Sequence, residues 1–246
     1  MTDPEIEITA DLVHDPLQEQ HGPHRRGAAP ARVSVRPPES GPLVERIVSL
    51  GRREVVFRAD EAVADALDAL VARLSDDGVD AVEGGEVDLG WDSIRFDDRD
   101  GVLIATTKDG HTTRGRVRRD DVTQLLWTLS AWDRVARLSG LEAPVPTRWR
   151  DWLYVTVGIF KTDRVLECRR DHTDGSTLWF IGGEPFDEDL VDRLAGDIAQ
   201  CVELFALRPE AAAVLGLPLG YVGVIEKERG VVEVRDPQGA VLFSER

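Results

Sequence analysis

Apolar positions along this chain change their period several times, and each change marks an element. The runs RIVSL and EVVFRA, from Arg46 onward, are rich in β-formers on either side of Gly51 and predict two strands around a turn. Val63, Ala66, Leu67, Leu70, Val71 and Leu74 then recur at helical spacing, with Asp60 placed to cap the helix and Gly78 to stop it. EVDLGWDSIRF and GVLIATT read as two β segments, joined as a hairpin by Asp97, Asp98, Asp100 and Gly101. After the polar stretch KDGHTTRGRVRR, Asp120 or Asp121 can cap a long helix whose Val122, Leu125, Leu126, Leu129, Trp132 and Ala136 share one face. Gly140 ends it, and Pro144 and Pro146 prevent its resumption.

The last third repeats this order of parts. WLYVTVGIF and RVLECRR precede a turn at Asp174 and Gly175, and STLWFIG follows as a strand. Asp187 opens an expected helix carrying Leu190, Val191, Leu194, Ile198, Cys201, Val202 and Phe205. Pro209 fits the first turn of a short second helix, Ala211 to Leu215, closed by Gly216. YVGVIEK, VVEVRD and AVLFSE complete the chain as strands, with turns at Gly230 and Gly239. Both halves thus run hairpin, helix, then Gly-Leu and a proline, as in SGLEAP and LGLPLG; a duplicated unit and two unrelated halves both fit that pattern. The order implies an α+β fold, an antiparallel β-sheet packed by amphipathic helices. Residues 1–43 carry seven prolines in a polar background and are expected to form a disordered tail. Two regions follow, 44–146 and 147–246.

Composition narrows the function classes. The 246 residues are 42% hydrophobic and 31% charged, and no apolar run approaches the roughly 20 residues of a membrane helix. The first residues carry acids where a secretory signal would carry basic groups, so cytoplasmic residence is the expectation. A net charge of −16 argues against a nucleic-acid or anionic-membrane surface and permits a basic partner. Cys168 and Cys201 fit neither a disulfide framework nor a metal spacing, and both fall on apolar faces as expected buried thiols.

Candidate chemistry is sparse. Cys168 with His172 and Asp171 or Asp174 would place thiol and imidazole too close along one hairpin to converge readily. His111 with Asp109 offers acid/base groups in a polar loop, without a second catalytic partner. His14, His21 and His24 lie in the expected tail, which gives a metal no rigid frame. Arg148 and Arg150 flank Trp149, a pattern that can stack on bases, and Arg114, Arg116, Arg118 and Arg119 form a basic cluster; in an acidic chain both read first as solvated faces. The acid clusters lack the alternating pattern and central glycine of a calcium loop. No cofactor and no metal ion is expected.

STLWFIGGEPFDED and LGLPLGYVGVIEKERGVVEV carry a family resemblance. Trp179, Phe180, Gly182, Gly183 and Glu184, followed by Pro209, Leu215, Pro218 and Gly220, resemble the C-terminal domain of immunity-protein family thirty-three of bacterial polymorphic toxin systems, a domain of unknown function. The likeness covers about residues 150–240, with Gly90 and Trp91 matching the companion region of longer members more loosely; after the glycines, GEPFDED replaces the family's usual acids and tyrosine. The resemblance implies a non-enzymatic protein that neutralises a cognate, basic toxin by direct binding. Its expected contacts are Trp127, which falls off the apolar stripe of its helix, with Trp179, Glu184, Asp187 and Glu188. An adaptor or chaperone for a secreted effector, and an enzyme using His111 and Asp109, are the competing classes.

Overall fold

The structure is a computed structural model that describes residues 6–7, 41–110, 117–156, 165–173, 176–183 and 197–245. β2 (Leu43–Leu50) and β3 (Arg53–Asp60) form the expected hairpin, and Gly51 takes the left-handed φ of 64° that the turn requires. The Asp60 carboxylate accepts from the Ala62 N–H at 2.8 Å and starts a 3-10 turn, Glu61–Val63, that leads into α1 (Ala64–Asp76). Leu67, Leu70 and Leu74 of α1 are buried. The helix stops before Gly78, as its spacing predicts.

EVDLGWDSIRF forms two strands rather than one. β4 (Glu86–Asp88) and β5 (Ser93–Arg99) pair antiparallel across a turn in which Asp88 accepts from the Gly90 N–H at 2.8 Å. That Asx contact, with Gly90 at φ 86°, outweighs the apolar alternation that runs through it. β6 (Val102–Lys108) completes the meander, and β7 (Arg118–Arg119) pairs with its end. Within the expected tail, Ile6–Glu7 adds as β1 beside β4, and β2 already begins at Leu43; residues 1–5 and 8–40 lie outside the described residues. The first sheet has the order β1-β4-β5-β6-β3-β2, with β7 on β6.

α2 (Thr123–Leu138) crosses to the second sheet, whose order is β11-β8-β10-β9-β12-β13-β14. Its strands are β8 (Trp152–Val155), β9 (Leu166–Thr173), β10 (Ser176–Gly183), β11 (Asp197–Gln200), β12 (Val222–Glu226), β13 (Gly230–Arg235) and β14 (Val241–Ser244). The fold is α+β, as expected. Both sheets are mixed rather than purely antiparallel, however, because β1–β4, β3–β6 and β8–β10 run parallel. In the β3–β6 case the chain passes through α1, β4 and β5 before returning, a crossover long enough for parallel pairing. The two strand orders differ, so the likeness between the halves stops at local motifs.

A second difference concerns the long helix expected from Asp187 to Phe205. Residues 197–200 are a strand paired with β8, and the helix is the short α3 (Cys201–Leu207); residues 184–196 lie outside the described residues. Gln200 and Glu203 form a reciprocal capping box, with the Glu203 carboxylate accepting from the Gln200 N–H at 3.1 Å. This local signal starts the helix at Cys201. Pro209–Val214 then forms a 3-10 turn closely followed by Gly216, as the proline and glycine predict.

The core is continuous across both sheets. Trp132 of α2 donates its indole N–H to the Ala212 carbonyl at 2.7 Å, and Trp179 of β10 donates to the Thr147 hydroxyl at 3.0 Å, which in turn donates to the Leu215 carbonyl. The segment between the sheets is therefore stitched to the 3-10 turn. A Cβ on Gly216 would lie 2.6 Å from the Trp132 ring, so only glycine permits this approach.

Candidate functional site

A groove of about 520 Å³ opens where the β4–β5 turn, the end of β6 and the segment before β8 meet. Its lining includes Trp91 and Asp92 from the turn, Lys108 from β6, and Arg148, Trp149 and Arg150 from the approach to β8. The Trp149 N–H donates to the Trp91 carbonyl at 2.9 Å, which fixes the two segments against each other. Trp91 is 1% exposed and packs edge-on against Trp149, at 5.2 Å between ring centroids, and against Trp132 at 5.6 Å. Phe205 of α3 closes the cluster at 5.9 Å from Trp149. A Cβ on Gly110 would meet the Trp149 and Phe205 rings at 2.6 and 2.7 Å, so the backbone after β6 lies directly on them.

The groove's carboxylates are engaged. Asp92 is buried and accepts from the Lys108 N–H at 2.9 Å and from its ammonium at 2.7 Å. Glu86 accepts from the Ser93 hydroxyl at 2.9 Å and lies 3.5 Å from Arg118. Burial lowers the pKa of Arg118 from its ordinary value, while Asp92, Glu86 and Asp97 favour its charged form. Asp88 is held by the Gly90 N–H, and the Arg148 guanidinium stands 4.0 Å from its other oxygen. Among the described residues, the buried indole N–H groups of Trp91 and Trp149 have no acceptor, and exposed Arg150 makes no ion pair.

The expected contact residues are not gathered here. Trp127 is 4% exposed and packs edge-on against Phe205 at 6.3 Å. Its position off the single apolar stripe is still an inward one, because α2 lies between the first sheet and the 3-10 turn of the second. Trp179 is 1% exposed, bonded to Thr147, with the Arg170 guanidinium 5.9 Å over its ring. Neither tryptophan offers a surface to a partner, which corrects both expectations. Glu184, Asp187 and Glu188 lie outside the described residues, as do His111, Arg114, Arg116 and the tail histidines.

Trp149 is likewise buried rather than displayed between Arg148 and Arg150, so it is not a base-stacking platform. The flanking arginines were nonetheless the one legible signal for the groove, since Arg150 and Arg148 do reach its rim. Asp92 and Lys108 carried no signal, because their pairing depends on the β5–β6 register. Both cysteines are free and fully buried, and burial pushes both thiols well above their ordinary range. Cys168 is therefore no nucleophile. No helix of the described residues is long and apolar enough to cross a membrane. No family model, curated protein or solved structure matches the chain.

Proposed function

We propose that this is a non-enzymatic protein of the immunity type, resident in the cytoplasm, that neutralises a cognate basic toxin by direct contact. The observation that carries the reading is an acidic surface laid along α1 and the loop that follows it. Asp65, Asp76, Asp80 and Glu83 are exposed and make no ion pair among the described residues, and Val82 stands 55% exposed among the last of them. Asp68 and Asp77 add further charge, bonded to Arg46 and Arg73. Asp76 sits in the last turn of the helix, where the macrodipole disfavours acids, and makes no ion pair among the described residues. The helix gains nothing from that placement; attraction of a basic partner accounts for it.

The same motif order that underlies the family resemblance, an aromatic pair, glycines, a short helix, a proline and a glycine-led strand, lies on β10, α3, the 3-10 turn and β12. The test is co-expression with neighbouring genes, pull-down, and expression of each captured neighbour alone. A captured neighbour that kills alone and is harmless alongside this protein supports the reading. A captured neighbour that is harmless by itself, or a toxic one whose lethality persists on co-expression, overturns it and favours an adaptor.

A further inference from the structure

We infer that the free edge of the first sheet, along β2, is covered by residues 32–36 of this chain, RVSVR, added to it as a further antiparallel strand. The inference does not rest on the immunity reading. β2 is the last strand of its sheet and pairs with β3 over all eight of its residues, without a bulge. Its other side has no strand beside it among the described residues, which leaves a row of backbone donors and acceptors. Edges of this length are ordinarily kept from pairing by a proline, a bulge or a free charge. β2 has neither proline nor bulge, and its two charges are engaged: Glu45 holds Arg58 at 2.9 Å, and Arg46 holds Asp68 at 2.6 Å. Leu43 and Ile47 stand 56% and 60% exposed on the face turned away from α1.

The two flanks of the edge say what fits it. On one flank are Leu43 and Ile47. On the other is α1, whose Asp65 and Asp68 lie one turn apart, Asp65 exposed and Asp68 bonded to Arg46 of β2. The edge therefore takes a strand that alternates apolar and basic side chains. Residues 32–36 have that alternation, with Val33 and Val35 on one face of an extended chain and Arg32, Ser34 and Arg36 on the other. They also belong to a basic stretch in a chain of net charge −16: between Gln20 and Glu39 there are four arginines, Arg25, Arg26, Arg32 and Arg36, and no acid. A second copy of the chain is the poorer occupant, because it brings another net charge of −16 to the same edge.

Connectivity sets the direction. The Pro42 carbonyl accepts from the Glu61 N–H at 2.9 Å, and a Cβ on Gly41 would lie 2.0 Å from the Asp60 carboxylate, so the sheet still holds the chain at these two residues. Residues 37–40 remain for a turn, and they include Pro37 and Pro38, which cannot donate to a ladder. So short a connection returns the preceding segment antiparallel along β2, at a local concentration on the order of millimolar. Residues 8–31 are long enough to arrive from β1 at the opposite edge, roughly 24 Å away at about 4.8 Å per strand.

Amide hydrogen exchange of the full-length chain, labelled with nitrogen-15, reads this edge residue by residue. The β2 amides that face β3 are internal controls, since their bonds do not involve the segment. The alternate β2 amides that face outward are expected to be protected in the parent, at every protein concentration. Val33→Asp with Val35→Asp puts carboxylates beside Leu43 and Ile47, and Arg32→Glu with Arg36→Glu puts them beside Asp65 and Asp68. Each pair of changes should speed exchange at the outward amides about tenfold and leave the controls unchanged. The inference is overturned if the outward amides of the parent exchange as freely as exposed ones, or if their protection survives either pair of changes. Protection that rises with concentration alongside a doubled mass overturns it too, and gives the edge to a second copy.

Discussion

Trp132 and Ala212, 80 positions apart, are joined by an indole N–H donated to a main-chain carbonyl at 2.7 Å. This bond lies where α2 meets the 3-10 turn of the second sheet, in a core that contains side chains from both halves. The halves thus share one packed core. Trp132→Phe removes the donor and leaves the carbonyl buried without it, at a cost of about 1–3 kcal/mol. Gly216→Ala drives a methyl into the Trp132 ring and costs a further ~1–3 kcal/mol as overpacking. Urea unfolding followed by far-ultraviolet circular dichroism and by tryptophan fluorescence should give coincident transitions in the parent and both variants. Two separated transitions would contradict a shared core.

Arg208 and Glu210 form a buried ion pair at the entry to the 3-10 turn, both about 2% exposed or less. Removing the arginine strands the Glu210 carboxylate away from water. Arg208→Met should therefore destabilise by about 3–5 kcal/mol, whereas Arg208→Met together with Glu210→Leu should cost far less. Chemical denaturation of the two variants decides it, and equal losses would show that the charge pair is not the source of the effect.

The buried thiols set an alkaline limit. Their folded pKa values lie above the unfolded value, so the folded chain holds protons that the unfolded chain releases. Stability is complete below the ordinary thiol pKa of roughly 8.5 and falls as pH rises above it, by up to about 1.4 kcal/mol per pH unit for each thiol. Cys168→Ala with Cys201→Ala should flatten this alkaline slope. At pH 8 a disulfide reagent should label neither cysteine in the native chain and both after denaturation. Labelling of the folded protein would refute the burial.

Charge reversal on α1 separates stability from binding. Asp76→Lys places a cation at the helix C-terminus, so it should leave the melting temperature unchanged or raise stability by about 0.3–1 kcal/mol. Together with Asp80→Lys and Glu83→Lys it should abolish neutralisation of a basic toxin while the circular dichroism spectrum stays the same. Intact neutralisation by the triple variant would remove this face from the interface.

Local chemistry written in the chain determined the hairpin at Gly51, the cap at Asp60, the ends of α1 and α2 near Gly78 and Gly140, the 3-10 turn after Pro209 and the final strands. These features depend on neighbours a few residues away, on glycine's access to positive φ and on side-chain caps, so they are legible without the fold. The buried fate of the cysteines was legible for the same reason, from the apolar periods they occupy.

Tertiary structure alone decided the parallel pairings, the strand at Asp197–Gln200, the burial of Trp127 and Trp179, and the groove that joins Trp91, Asp92 and Lys108 to Trp149 and Arg150. Helical spacing identifies one apolar face and is silent when a helix is covered on two sides, as α2 is. Register between distant strands has no local signature, because any strand can pair with several others. The competition is settled by which arrangement buries the most apolar surface while leaving the fewest polar groups unpaired.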